Sequence, residues 1–134
     1  MTASLIYEGE LHCSITHLQS GTVVETDAPT DNQGKGERFS PTDLLCVSLA
    51  TCIITTMALK ARGINIELKD TKIDITKHML SEPRRVGQID IDIHFPATLH
   101  TEEKDRIILE RTGNHCPVAK SLNTDVKTNI KYNW

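Results

Sequence analysis

Sixteen consecutive residues without a charge, Leu44 to Leu59, constrain this chain more than any other feature. The run falls short of the roughly 20 apolar residues that span a bilayer. It also contains Ser48, Thr51, Thr55 and Thr56, so it predicts a core helix rather than a membrane anchor. Ser40 suits the N-cap, Pro41 the first helical position, and Asp43 the first turn, where negative charge complements the positive end of the helix dipole. The helix is expected to reach about Arg62, with Lys60 and Arg62 near its carboxyl end and Gly63 as the stop. A helix apolar on every side must be covered on every side, and a domain with one small sheet covers only part of it. A homodimer whose second subunit covers the remainder is the expected solution.

The flanking sequence supplies the sheets. Leu11, Cys13 and Ile15 alternate with His12, Ser14 and Thr16, and Gly21 punctuates before Thr22-Val23-Val24, which predicts two or three antiparallel strands between Leu5 and about Thr26. Asp27 to Ser40 collects prolines, glycines and polar residues and reads as a long loop. Ile73 and Ile75, then Ile89, Ile91, Ile93 and Phe95, alternate with polar partners, with Pro83 to Gly87 as a hairpin connection. Thr101 with Glu102 and Glu103 starts a helix that Gly113 closes; a short helix follows from Pro117 to about Leu122. A last strand presents Val126, Thr128, Ile130, Tyr132 and Trp134 on one face. The order is α+β, without the regular βαβ alternation of a nucleotide-binding sheet and without GxGxxG or P-loop spacing. All 134 residues read as one domain, 1–134.

A net charge of −3, with no stripe of lysines and arginines, argues against nucleic acid or an anionic membrane as partner. The first residues lack a basic region followed by an apolar core, so the expected location is cytoplasmic. Cysteines at 13, 46, 52 and 116, with no CxxC, suggest reduced thiols rather than a disulfide framework or a zinc site. Cys46 and Cys13 read as packing residues. Cys116 precedes Pro117 at the start of a helix, where unpaired N–H groups and the dipole lower a thiol's pKa, and His115 adds a neighbouring imidazole. Cys52 looks buried, and apolar burial raises a thiol's pKa, so it becomes a nucleophile only if a cation reaches it. Arg38 is the only arginine before the helix, and Glu37 or Asp43 is a candidate to orient it. Asp43 lies nine positions before Cys52, on the opposite side of one helix and about 13 Å away along the axis, so it would serve a Cys52 only across a two-fold interface.

Two segments carry a family resemblance. Phe39-Ser-Pro-Thr-Asp-Leu-Leu-Cys-Val-Ser-Leu-Ala-Thr-Cys52, followed much later by His-Cys116-Pro-Val-Ala-Lys-Ser-Leu122, resembles the OsmC/Ohr family. The resemblance implies an OsmC-like fold, with antiparallel sheets around a long central apolar helix in an intertwined homodimer. It also implies a thiol-dependent peroxidase that reduces organic hydroperoxides, or hydrogen peroxide, at the subunit interface. On that basis Cys52 matches the peroxide-attacking cysteine and Cys116 the resolving one. Asp43 stands where typical members have glutamate, and Arg38 is the candidate activating arginine at a spacing that departs from theirs. No bound cofactor or metal is expected. The reductant is expected to be an external dithiol of lipoyl type.

Two rival readings accompany this one. The departure at Arg38 motivates a dimer that keeps fold and thiols but acts as a small-ligand or protein-binding module. Cys52, Cys116 and His115 as metal ligands form the other, disfavoured because adjacent His115 and Cys116 are poorly spaced for one tetrahedral ion.

Overall fold

The computed structural model describes residues 1–134. Six strands and three helices follow in the order β1 (Ala3–Gly9), β2 (His12–His17), β3 (Val23–Asp27), α1 (Pro41–Arg62), β4 (Lys72–Ser81), β5 (Arg84–His94), α2 (Glu103–Gly113), α3 (Pro117–Ser121) and β6 (Lys127–Asn133). A single 3-10 turn, Thr30–Asn32, interrupts the loop before α1. The chain forms two compact units, Met1–Leu45 and Cys46–Trp134.

In the first unit β1, β2 and β3 make an antiparallel meander. Its register aligns Leu5, Ile15 and Val24 across the sheet, with Tyr7, Cys13 and Thr26 beside them on the same face. Leu5 and Tyr7 are well over half exposed, and every buried apolar side chain of the protein belongs to the second unit. At the start of α1, Ser40 Oγ accepts from the Asp43 N–H at 3.1 Å while Asp43 Oδ2 accepts from the Ser40 N–H at 2.8 Å. That is a reciprocal capping box, with aspartate in the place usually held by glutamate.

The second unit holds the core. Along α1, Cys46, Leu49, Ala50, Ile53, Met57 and Ala61 are buried, while Leu59 stands exposed. The helix is long and apolar enough to cross a membrane by length and composition alone, but its inner face packs with Ile89, Ile91, Ile93, Leu109 and Cys116 in one cluster. β4 and β5 form the expected hairpin, but its turn is only Glu82-Pro83, since Arg84 to Gly87, read as connection, belong to β5; β6 then adds to β5 in parallel, which makes this sheet mixed. A parallel neighbour requires a crossover, here supplied by α2 and α3.

Two glycines do different work from that expected of them. Gly63 has no left-handed φ; Asn65, at φ 57°, takes that conformation as the Ile66 N–H turns back to the Ala61 carbonyl. Gly113 is needed for contact rather than for termination: a Cβ there would meet Met57 Cγ at 2.9 Å and Ile53 Cγ2 at 3.1 Å, so α2 seats its last turn directly on α1. Thr101 does not cap α2 either, since its hydroxyl accepts from Arg106 Nε at 2.8 Å and Glu102 occupies the cap position.

Candidate active site

Cys116 sits where the sequence places it, at the N-cap of α3, with its Sγ accepting from the Ala119 N–H at 3.4 Å. The electrostatic outcome is the reverse of the expectation. Cys116 is fully buried, and burial pushes its thiol pKa up, ahead of the opposing pull of the Ala119 N–H; a hydrogen bond and charge interaction with Cys52 push in the same upward direction. A five-residue helix ends too soon to offset the desolvation. Cys52, read as the buried thiol, is instead partly exposed and packs against the margin of the core. All four cysteines are free. Cys46 is buried in the core, and Cys13 lies half-buried on the apolar face of the first sheet.

A cavity of about 280 Å³ is lined by Leu49, Asn114, Ala119, Thr128 and Ile130. Leu49 precedes Cys52 by nearly one helical turn, and Ala119 is the residue whose N–H reaches Cys116. Tyr132 is a neighbour that the sequence reading missed. Its hydroxyl donates to Asn114 Oδ1 at 2.8 Å, and burial first, then the charges of Glu110 and Cys116, hold its pKa up to about 12. It is therefore a neutral phenol near Cys116 at physiological pH. The only signal of it in the sequence was its inward position in the alternation of the last strand.

Arg38 and Asp43 have partners other than those anticipated. The Arg38 guanidinium pairs with Glu25 on β3, Nε to Oε2 at 2.8 Å, and Nη1 donates to the Glu37 backbone carbonyl at 3.0 Å. Glu25 is the carboxylate hydrogen-bonded to it within the chain, and Glu37 acts on it through charge. Glu25 in turn lies 3.5 Å from His12 Nε2, and His12 Nδ1 donates to Asp27 Oδ1 at 2.6 Å. The hydrogen bond from His12 holds the nearly buried Asp27 carboxyl below its ordinary range, Arg38 does the same for Glu25, and the bond to Asp27 raises the His12 pKa. Glu25 carried no sequence signal. Thirteen residues separate it from Arg38, and the two approach because Thr26 and Phe39 form an isolated bridge. No three His, Cys, Asp or Glu side chains gather in a metal-ligating group.

The family model for OsmC-like proteins matches residues 34–131, from the loop before α1 into the last strand. The chain belongs to the OsmC-like family. Among solved structures, this OsmC-like chain is 43% identical to a Psychrobacter arcticus 273-4 protein assigned to an osmotic stress induced and detoxification response. That match covers 99% of this chain and 96% of the other, with a TM-score of 0.94. The fold is shared more distantly with an organic hydroperoxide resistance protein OsmC from Legionella pneumophila, at 14% identity, 100% and 98% coverage and a TM-score of 0.77. It is shared also with the organic hydroperoxide resistance protein OhrB of Bacillus subtilis, at 17% identity, 99% and 98% coverage and a TM-score of 0.68. Among curated proteins, none matches this sequence.

Proposed function

We propose that this OsmC-like chain is a thiol-dependent peroxidase that reduces organic hydroperoxides through Cys52 and Cys116. What supports the reading is the packing of the partly exposed Cys52 against the same apolar cluster that holds the buried Cys116, in a chain of the OsmC-like family. In the proposed sequence the Cys52 thiolate attacks the distal peroxide oxygen. An S–O bond forms, the O–O bond breaks, and the alkoxide takes a proton and leaves as the alcohol. Cys116 then attacks the Cys52 sulfur, forming S–S and breaking S–O with loss of water. Two thiol–disulfide exchanges with an external dithiol of lipoyl type restore both thiols. The raised pKa of Cys116 keeps its protonated thiol from competing with Cys52 for peroxide in the first step.

A homodimer forms part of this proposal, supported by the exposed Leu5 and Tyr7 on one face of the first sheet. The contribution of Arg38 is separable from the rest. An arginine whose charge is shared with Glu25 has less field to offer any thiolate, so if Arg38→Met leaves iodoacetamide alkylation of Cys52 unchanged, Arg38 has no activating role. The same pairing favours a second reading, a ligand-binding dimer without turnover. Stopped-flow consumption of cumene hydroperoxide with dihydrolipoamide separates the two, since the peroxidase reading requires turnover well above a Cys52→Ser control. Intact mass after one equivalent of hydroperoxide tests the sulfur roles. Wild type is expected to lose about 2 Da as a disulfide forms, and Cys116→Ser to gain about 16 Da as the sulfenic acid persists. A mass unchanged in both removes the proposal.

A further inference from the structure

A second groove, of about 420 Å³, opens where the carboxyl end of α1 meets α2, lined by Lys60, Ile108, Arg111, Thr112 and His115. Three of its five lining residues are basic types and none is acidic. Neither Lys60 nor Arg111 makes an ion pair, unlike Arg38 and Lys104, whose charges are matched by Glu25 and Glu102. His115 is held in place because its Nδ1 donates to the Arg111 carbonyl at 2.8 Å. Ile108, Arg111, Thr112 and His115 recur at i, i+3, i+4 and i+7, so they form one face of α2 and its extension. The contact of Gly113 with Met57 and Ile53 fixes that face against α1, which makes the spacing of Lys60 and Arg111 a property of the packed core rather than of a mobile loop. His115 adjoins Cys116, and Lys60 follows Cys52 by eight residues, about 12 Å along the helix.

We infer that this groove is an anion subsite that binds the carboxylate of a ligand whose reactive end reaches the partly exposed Cys52, with Lys60 and Arg111 supplying charge and Ile108 an apolar wall for the connecting chain. A solvent-exposed pair of unmatched cations attracts an anion at modest strength, whereas an aliphatic carboxylate of about eight carbons adds apolar contact in a groove of this size. The identity of the occupant rests on the peroxidase reading: the carboxylate belongs either to the hydroperoxide or to the dithiol. The existence of the subsite does not rest on it.

Titration of the whole protein with octanoate and with octanamide, followed by calorimetry, tests the groove without turnover. Octanoate is expected to bind about tenfold more tightly than octanamide. Lys60→Gln/Arg111→Gln should lose that preference and Lys60→Arg/Arg111→Lys should keep it. Equal binding of the two probes, or a preference that survives in the glutamine variant, overturns the subsite. Turnover then identifies the source. A roughly tenfold fall in the glutamine variant in the kcat/KM ratio of a para-carboxylated over an unsubstituted cumene hydroperoxide assigns the groove to substrate. The same fall in the ratio of dihydrolipoate over dihydrolipoamide assigns it to the reductant. If neither ratio falls in a variant that has lost octanoate, both assignments are wrong. If no hydroperoxide is consumed at all, the peroxidase reading fails while the octanoate result still decides the subsite.

Discussion

Burial outweighs the helix start at Cys116, and the size of the two effects explains why. A first-turn dipole interaction amounts to about 0.3–1 kcal/mol at a surface site, whereas desolvating an ionised group costs several times more. Glu25 and Asp27 show the opposite balance, since hydrogen bonds favour their charged forms. With the pKa of His12 raised, its ion-paired form stabilises the fold fully below its ordinary value of about 6.5, and this contribution fades as pH climbs through the raised value. Asp27 and Glu25, with lowered values, contribute above the ordinary carboxylate range near about 4 and stop contributing as pH falls through their depressed values. Thermal melting from acid to alkaline pH is therefore expected to peak between those limits, with Asp27→Asn flattening both flanks. A profile identical to wild type would show that the network is electrostatically idle.

Two elements owe their positions to single residues. The capping box at Ser40 and Asp43 satisfies N–H groups that α1 otherwise leaves unpaired, and Ser40→Ala is expected to cost about 1 kcal/mol in urea unfolding. α2 depends on the missing side chain at Gly113. Gly113→Ala forces a methyl into Met57 and Ile53, and the expected cost is about 1–3 kcal/mol, despite alanine's better helix propensity. A stabilised Gly113→Ala protein would mean that the α1–α2 contact relaxes freely. Ala119 and Asn114 deserve comparison at the same scale, because one strand of contacts links α3, the end of α2 and β6: the Ala119 N–H meets Cys116, and Asn114 receives the Tyr132 hydroxyl.

For the whole molecule, the first sheet poses the main question. Leu5, Tyr7, Ile15 and Val24 share one face of that sheet, on which Leu5, Tyr7 and Val24 are exposed, and Leu59 on α1 is also exposed. An exposed apolar face of this kind marks an interaction surface. Light scattering is expected to give twice the 15.0 kDa chain mass, and Leu5→Lys/Tyr7→Glu should shift it toward the monomer. A wild-type monomer at micromolar concentration would remove the dimer from the proposed function.

Much of this protein is local and was therefore legible in order along the chain. The uncharged run became α1, the Ile89-Ile91-Ile93 alternation became the central strand of its sheet, and Cys116-Pro117 became the start of a helix, because periodicity and capping are properties of neighbouring residues. What depended on distant approach was decided only by tertiary packing: Glu25 as the carboxylate hydrogen-bonded to Arg38, Tyr132 near Cys116, β6 running parallel to β5, and Gly113 pressed onto α1. The degree of burial of the two cysteines belongs with these, since exposure is set by everything that folds around a side chain and not by the residues on either side of it.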